Sequence, residues 1–408
     1  MIVLVIETPR FANLCLAAAL SLLSLPSLAA DSHYLFVWAA DADSQHSDFL
    51  AVLDADPESP AYGDVLRTVE VGMPSGAHHS EHRMPADGRL FVNGFSSGHS
   101  FVIDLHDPLA PSVAARFESM GEFSYPHSFE RLSNGNLLAT FQNGQGTREA
   151  TGGIAELTPS GNLVRAASAA DADFPEVRPY SLLPLPEVDL VVSTTTDMMA
   201  KLVADSIQFW RLSDLTLLQT MRLPKGPRGF EHQLPAEPRI MADKKTLLVN
   251  TFLCGLYQVH DYAASLPSIR HIHTFEISNT STGDDNDELC ALPVTVGPYW
   301  VQTVPSRNGL VTLDLGDPSS PKEVSYLSLG EGRLPHWIAL EPGSRRIVAT
   351  GYGGMLHSVM MVIIDPATGA LAIDRSFGED GVADFGRTEW PHGSTGAAVP
   401  HGSVFAIP

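Results

Sequence analysis

Short runs of alternating apolar and polar residues recur along most of the chain, usually in pairs joined by a polar turn. This alternation predicts β-strands, because successive side chains of a strand point to opposite faces of the sheet. The pairs recur at a spacing of roughly 50 residues, which indicates an internal repeat. Their turns carry Asp-Pro, Ser-Gly, Ser-Asp or Thr-Gly, all suited to tight connections. The seven hairpins begin at Phe49, Ser100, Gly153, Ser206, Gly255, Gly309 and Val359.

A further short apolar strand precedes each hairpin, as at Arg89–Phe95 and Thr246–Phe252. The repeat therefore predicts an all-β fold, a seven-bladed β-propeller of four-stranded antiparallel blades. Pairing of the first strand, Tyr34–Ala40, with the C-terminal strand, Ser403–Pro408, would close the ring and leave no long free edge. An open sandwich or two smaller domains is the alternative. The regular spacing favours one propeller domain over residues 31–408.

The first thirty residues have the pattern of a secretory signal peptide. An apolar stretch runs from Phe11 to Leu28 after Arg10, and small residues follow at Ala29 and Ala30. Residues 1–30 are therefore predicted to be removed, although an uncleaved membrane anchor is the alternative. A cleaved leader implies that the mature protein is periplasmic or secreted.

The charge balance narrows the possible partners. The formal net charge is −22, with 47 acidic and 25 basic residues and no basic run. Nucleic acid and anionic membranes are therefore not expected partners, whereas cations, including metal ions, are favoured. Beyond the leader the only cysteines are Cys254 and Cys290, and whether they pair stays open at this point. The chain has no CxxC pair, which excludes zinc-finger and thioredoxin-like sites.

Several of the 16 histidines recur at one phase of the repeat, between a hairpin and the next apolar strand. Residues at one phase of a propeller form a ring around the central channel. Neutral imidazole is the commonest ligand of copper, zinc, iron and nickel, so the ring predicts a metal site. Nitrogen-only ligation in an oxidising compartment favours copper as the cofactor. A structural role is the alternative for each single histidine. The predicted metal ligands are His78, His79, His127, His232, His336 and His392.

Two further residues are candidates for handling protons at this centre. Glu231 precedes His232, and Tyr180 occupies the histidine phase in its own repeat. A solvated carboxylate is the alternative for Glu231. His82 shares the histidine phase, and His401 lies close to His392 with its role left open. The sequence contains no GxSxG, phosphate-binding loop or dinucleotide fingerprint.

The segment Asp48–His82, with its DFLAVLDADPESPAY and His-His-Ser motifs, resembles the selenium-binding protein family, which includes the methanethiol oxidases. His127 ahead of LSNGNLLAT and an Asp-Phe-Gly before His392 extend the resemblance. On this resemblance His78, His79, His127 and His392 match family histidines. It implies a propeller with a histidine-rich copper centre that oxidises methanethiol with O2 and water to formaldehyde, hydrogen sulfide and hydrogen peroxide. The implied partners are a small thiol and O2.

Two other functions remain open from the sequence. One is a non-enzymatic periplasmic propeller that binds a metal or scaffolds a partner. The other is a metal-dependent hydrolase of the propeller lactonase kind, which requires carboxylate and asparagine ligands for Ca²⁺. The histidine-rich axis favours the copper oxidase over both.

Overall fold

Antiparallel strands form seven blades around one axis, and in blades 2 and 4 to 7 the first strand of the blade is the innermost. The computed structural model describes Met1 and residues 33–144, 150–198, 204–264, 267–278, 289–351 and 357–406. The predicted signal peptide, residues 1–30, lies outside the described residues except for Met1. The all-β seven-bladed propeller predicted from the repeat is confirmed.

Blades 1 to 4 occupy the N-terminal half of the propeller. Blade 1 contains β1 (Tyr34–Asp41), β2 (Phe49–Asp54) and β3 (Val65–Glu70). Blade 2 contains β4 (Ala77–Ser80), β5 (Arg89–Gly94), β6 (His99–Asp104) and β7 (Ser112–Phe117). Blade 3 contains β8 (Ser119–Met120), β9 (Phe123–Arg131), β10 (Leu137–Gly144), β11 (Gly153–Leu157) and β12 (Leu163–Ser168). Blade 4 contains β13 (Leu182–Leu185), β14 (Leu190–Thr194), β15 (Ser206–Arg211) and β16 (Leu217–Arg222).

Blades 5 to 7 complete the ring. Blade 5 contains β17 (Pro235–Ile240), β18 (Leu247–Thr251), β19 (Gly255–His260) and β20 (Ser268–Thr274). Blade 6 contains β21 (Pro293–Val296), β22 (Tyr299–Val304), β23 (Gly309–Asp314) and β24 (Lys322–Ser328). Blade 7 contains β25 (Pro335–Leu340), β26 (Arg346–Gly351), β27 (Ser358–Ile364), β28 (Leu371–Ile373) and β29 (Val382–Asp384). A small hairpin follows, β30 (Glu389–Trp390) and β31 (Gly393–Ser394), and then β32 (Ala398–Phe405).

The ring is closed by the two ends of the described chain. β32 pairs antiparallel with β1, with Leu35 opposite Phe405 and Phe36 opposite Val404, and so becomes the innermost strand of blade 1. The closure predicted from the terminal strands is therefore confirmed. The pairing covers both edges of β1, which lies between β2 and β32.

The middle strands of the blades are buried on both faces, because neighbouring blades pack against each other. β2 is buried along nearly its whole length, whereas the outer strand β3 alternates between half-buried and exposed positions. Trp38 illustrates the packing between blades 1 and 2, where it belongs to one apolar cluster with Leu90 and Phe101. Within the described residues, 3₁₀ turns at Pro186–Val188 and Pro305–Arg307 are the only helical segments, and no helix is long and apolar enough to cross a membrane.

A disulfide bond joins Cys254 to Cys290, a pairing that the sequence left open. Cys254 follows β18 in blade 5, and Cys290 lies ahead of the innermost strand of blade 6. Both cysteines are fully buried. The bond therefore ties two neighbouring blades together close to their inner strands.

Candidate metal centre

The inner strands of three blades contain a Pro-His pair that directs the imidazole toward the axis. In all three strands the pairing register with the second strand shifts beside this pair. Proline lacks the N–H of a regular ladder, and a register shift re-aims the neighbouring side chain. The pairs are Pro126-His127 in blade 3, Pro335-His336 in blade 7 and Pro400-His401 in blade 1.

Blade 2 contributes two consecutive histidines, His78 and His79. The register between β4 and β5 shifts between Ala77 and Ser80, so both imidazoles turn toward the axis instead of alternating. The entry of the strand is held by Asp48, whose carboxylate accepts the Ala77 backbone N–H at 2.9 Å. A local irregularity thus gives this blade two ligand positions.

Five imidazoles from four blades meet at the axis and are defined here as the histidine cluster: His78, His79, His127, His336 and His401. Ligand nitrogens of His78, His79 and His127 lie within 4.8 Å of one another, and so do those of His78, His336 and His401. The ring centroids of His79 and His127 are 4.2 Å apart. Each member is at most 1% exposed. The shared member His78 joins the two groups of three.

Four of the five imidazoles of the cluster are held in the neutral form. Burial, followed by repulsion from the neighbouring imidazoles, lowers the pKa of His78, His79 and His401 well below the ordinary histidine value. Burial also lowers the pKa of His127 to about 3, although its hydrogen bond to the Tyr180 carbonyl acts in the opposite direction. A neutral imidazole keeps a nitrogen lone pair for a metal ion, so these histidines are prepared for ligation.

Hydrogen bonds fix the orientation of two of these rings. Nδ1 of His127 donates to the backbone carbonyl of Tyr180 at 2.8 Å, and Nε2 of His127 is buried without a hydrogen-bond partner. His79 contacts the Tyr180 hydroxyl through Nε2 at 3.4 Å and the Ser128 hydroxyl through Nδ1 at 3.2 Å. A histidine whose one nitrogen is held by a carbonyl and whose other nitrogen is unpaired has the arrangement of a metal ligand.

The chemistry of the donors fits a transition metal. Neutral imidazoles suit copper, zinc, iron or nickel, whereas Ca²⁺ requires oxygen ligands, which the cluster does not offer. Another group of possible ligands lies at the end of β1 and in the turn that follows, and two of its members are exposed: Asp41, Asp43 and His46. Exposed acidic groups of this kind are common without a metal. The histidine cluster is therefore the candidate metal centre.

The structure brings four of the six predicted ligands together, His78, His79, His127 and His336. His392 lies in the small hairpin before β32, and its two nitrogens contact the hydroxyls of Thr68 and Thr395. The prediction that His392 faces the axis is therefore corrected, because the inner strand of blade 1 begins only at Ala398.

His232 also lies outside the cluster, which corrects the second assignment made from repeat phase. It precedes β17, whose residue after the first proline is Ala236. Blade 5 thus presents a methyl group where blades 1, 3 and 7 present imidazoles. The neighbouring charges that act on His232 are Asp205, Lys225 and Glu231, none of which belongs to the cluster.

The two predicted proton-handling residues differ in position. Tyr180 is fully buried and packs against the ring of His127 with a centroid distance of 4.1 Å. Glu231 instead accepts the backbone N–H groups of Arg228 and Phe230 and the hydroxyl of Thr274. These partners lie within or beside blade 5, so the contacts of Glu231 do not connect it to the cluster.

His401 is the cluster member that the repeat phase did not assign. In the sequence His401 follows a proline, as His127 and His336 also do. Pro391-His392 is the same dipeptide nine positions earlier, so the dipeptide alone does not identify which of the two histidines faces the axis. Only the placement of β32 inside blade 1 decides between the two pairs.

The fold and the site define a seven-bladed β-propeller with a buried histidine cluster on its axis. No protein-family model matches the chain. It is similar to a methanethiol oxidase from Hyphomicrobium sp, with 30% identity over 140 residues that cover 32% of this chain and 31% of that protein. A methanethiol oxidase from Ruegeria pomeroyi is 26% identical over 127 residues, 29% of each chain. The matches thus span less than a third of the length of either relative.

Solved structures agree on the architecture. A hypothetical selenium-binding protein from Sulfolobus tokodaii superposes with a TM-score of 0.74 and 16% identity, covering 92% of this chain and 94% of that chain. The periplasmic gluconolactonase of Pseudomonas aeruginosa gives a TM-score of 0.62 and 15% identity, covering 92% of this chain and 99% of that chain. At these identities the structures show the fold alone. The resemblance to methanethiol oxidases that the sequence motifs indicated is borne out by the two curated relatives, over the third of the chain that they match.

Proposed function

We propose that this protein is a copper-dependent thiol oxidase that resembles methanethiol oxidase. The observation that carries the proposal is the fully buried cluster of five imidazoles, four of which burial and mutual repulsion hold in the neutral form. Two relatives named methanethiol oxidase support the reaction class. The non-enzymatic alternative is a propeller that only binds a metal. It would use the same site, and only a measurement of turnover distinguishes it from an oxidase.

The proposed reaction oxidises the carbon of the thiol and reduces O2. Methanethiol and water give formaldehyde, hydrogen sulfide, two protons and two electrons, and O2 takes up these protons and electrons to form hydrogen peroxide. His78, His79, His127, His336 and His401 would hold the metal. Copper, when bound there, supplies a one-electron couple and a soft binding position for thiolate sulfur.

The surroundings of the cluster favour a small, apolar thiol. The ring of Phe95 lies 5.5 Å from that of His78, and the ring of Phe252 lies 6.2 Å from that of His336. Aromatic walls exclude water and accept a methyl group, whereas they offer nothing to a charged substrate. Substrate size is therefore limited by side chains that the chain itself places around its ligands.

Tyr180 is the residue best placed to orient the reacting groups. Its hydroxyl is 3.4 Å from Nε2 of His79, and its ring packs against Phe252 at 5.4 Å. A phenol in this position can hydrogen-bond a substrate atom or hold a proton close to His79. We include Tyr180 in the site, and Glu231, predicted from the sequence, is left out because its partners lie elsewhere.

We also propose that the mature protein works in the periplasm or outside the cell, with a small thiol and O2 as its partners. The leader pattern at residues 11–30 and the Cys254–Cys290 disulfide support an oxidising compartment. The net charge of −22 argues against nucleic acid or an anionic membrane as a partner.

Metal analysis coupled to O2 uptake tests the proposal. The mature protein, purified from periplasm and reconstituted with copper, should contain about one copper or more per chain and consume O2 when methanethiol is added. Peroxide, formaldehyde and sulfide should appear in equal amounts. Copper without uptake would favour the metal-binding alternative. Failure to bind any transition metal after reconstitution would overturn the site itself.

A further inference from the structure

A second group of polar residues lies on the axis beyond the histidine cluster. His82, from the turn after β4, stacks on Trp337 with ring centroids 4.6 Å apart, and Trp337 in turn packs edge-on against His79 at 4.9 Å. The rings of His79 and His82 are 6.5 Å apart. This second layer is therefore one side chain away from the candidate ligands.

Glu237 is the centre of this layer. Its Oε2 accepts the Ser181 hydroxyl at 2.6 Å and the Arg239 guanidinium at 2.7 Å, and it lies 3.6 Å from Nε2 of His82. The residue is fully buried, and its other oxygen, Oε1, has no hydrogen-bond partner. An unsatisfied carboxylate oxygen is costly to bury, so a partner that the protein does not supply is expected there.

A cavity leads from this layer to the surface. It has a volume of about 410 Å³, and His82 and Arg239 line it together with the exposed Arg83 and the half-buried Thr295. Its remaining walls are apolar, which leaves the polar groups of the second layer as the sites where water would bind. The lining of this cavity stops at His82 and Arg239 and includes neither Glu237 nor a member of the histidine cluster. Glu237 is joined to the cavity through its contacts with these two side chains.

We propose that this cavity is the water and proton route to the histidine cluster, and that Glu237 takes up a proton from the water that the reaction consumes. The inference rests on the proposed thiol oxidase function. In each turnover Oε1 of Glu237 accepts a proton from that water, and the carboxylic acid then releases it through the cavity to bulk water, from which one proton is taken up again for the reduction of O2. The balance stays that of the whole reaction, in which the two protons and two electrons released from thiol and water reduce O2 to hydrogen peroxide.

Charged and titratable side chains from three blades surround Glu237. Arg239 on the same strand pairs with it directly, and His82 approaches from blade 2. Glu130 of blade 3 and Arg83 also belong to this layer. Burial raises the pKa of Glu130 to about 7; the negative charge of Glu237 adds to that rise, and Arg239 and Arg83 oppose it. One arginine in direct contact thus offsets the negative charge of Glu237 without occupying Oε1.

The first experiment compares Glu237→Gln with the wild type, both loaded with copper. We expect unchanged copper per chain and unchanged KM for methanethiol, with kcat reduced by roughly 100-fold, the range of a lost general base. Glu237→Asp should recover part of kcat. Glu156→Gln is the matched control, because Glu156 is also buried and paired with an arginine, Arg165, but lies in blade 3 away from the cavity.

The second experiment needs no turnover. Thr295→Phe narrows the cavity, and Thr295→Val is its control of similar size to the native residue. The relaxation of bulk-water protons by bound Cu(II) reports how readily water reaches the centre, and it should fall at least twofold in Thr295→Phe alone. Unchanged relaxation, or a Glu237→Gln variant with wild-type kcat, would overturn the route while leaving the thiol oxidase intact. A wild type that binds copper but takes up no O2 would instead overturn the proposed function, and the proton transfer with it.

Discussion

Nδ1 of His127 donates a hydrogen bond to the backbone carbonyl of Tyr180, 2.8 Å away, across the boundary between blades 3 and 4. Because a carbonyl oxygen only accepts, this contact fixes the proton on Nδ1 and leaves the lone pair on Nε2. That nitrogen is buried without a partner. The packing of two blades therefore sets the tautomer of a candidate ligand.

His127→Ala should remove copper from the protein. We expect copper affinity to fall at least tenfold, since even residues behind the ligands commonly change it by about 10- to 100-fold. Inductively coupled plasma mass spectrometry after equilibrium dialysis measures the loss. His392→Ala is the control, because His392 is bonded to Thr68 and Thr395 outside the cluster. Full copper in His127→Ala would exclude this residue as a ligand.

The comparison of His401 with His232 tests whether a Pro-His pair on an inner strand marks a metal ligand. His401→Ala should lower copper content, since this imidazole stacks on His78 at 4.3 Å. His232→Ala should keep copper, because blade 5 presents Ala236 at the corresponding place. The opposite pattern in the same dialysis measurement would mean that the ring is built from other blades.

Tyr180→Phe should leave copper in place and slow turnover. The substitution removes only the hydroxyl that lies 3.4 Å from His79 and keeps the ring that packs against His127. We expect kcat to fall by about 100-fold, the lower end of the range for a lost acid or base, with little change in thermal stability. Steady-state O2 uptake at saturating thiol, beside a melting curve, checks both. Equal kcat would show that the hydroxyl is not used.

The metal-free protein should lose stability as the pH falls below about 6.5, the ordinary pKa of histidine. The folded state keeps His127 neutral down to a pKa of about 3, whereas the unfolded chain takes up the proton near its ordinary pKa. One such histidine therefore costs about 1.4 kcal/mol of unfolding free energy per pH unit between these two values. Urea denaturation at several pH values should show a shallower decline for His127→Asn than for the wild type.

The test compares how the unfolding free energy of the wild type and of His127→Asn depends on pH. A single curve does not suffice, because other titratable groups change the stability in the opposite direction. Burial raises the pKa of Glu81 and Glu130 to about 7, so their contribution grows as the pH falls from 7 toward the ordinary glutamate value. These residues are the same in both proteins and cancel in the comparison. Parallel curves for His127→Asn and wild type would contradict a neutral buried His127.

Reduction of the Cys254–Cys290 disulfide should destabilise the propeller without removing copper. The bond closes a loop with a sequence separation of 36 residues, for which the loss of chain entropy in the unfolded state corresponds to about 4 kcal/mol. Denaturation with and without reductant measures the difference. A Cys254→Ala/Cys290→Ala protein should match the reduced wild type and ignore the reductant. Equal stability of oxidised and reduced protein would contradict the prediction.

Local pattern was sufficient for most of the architecture. Alternation and turn residues are properties of neighbouring positions, so strands such as Phe49–Asp54 and the repeat of seven hairpins could be predicted directly. The same phase argument directed attention to His78, His79, His127 and His336, which do meet at the axis. It extended too far to His232, because the loop before β17 keeps that residue off the inner strand.

What the sequence by itself determined was the propeller, its closure by the terminal strands and the concentration of histidines at one phase of the repeat. Only the tertiary structure decided that His401 rather than His392 joins the cluster, that Cys254 pairs with Cys290, and that Glu237 lies one layer beyond. Each of these depends on residues from different blades, far apart along the chain. Their distances arise when the ring closes and brings the inner strands to a common axis, which no local periodicity encodes.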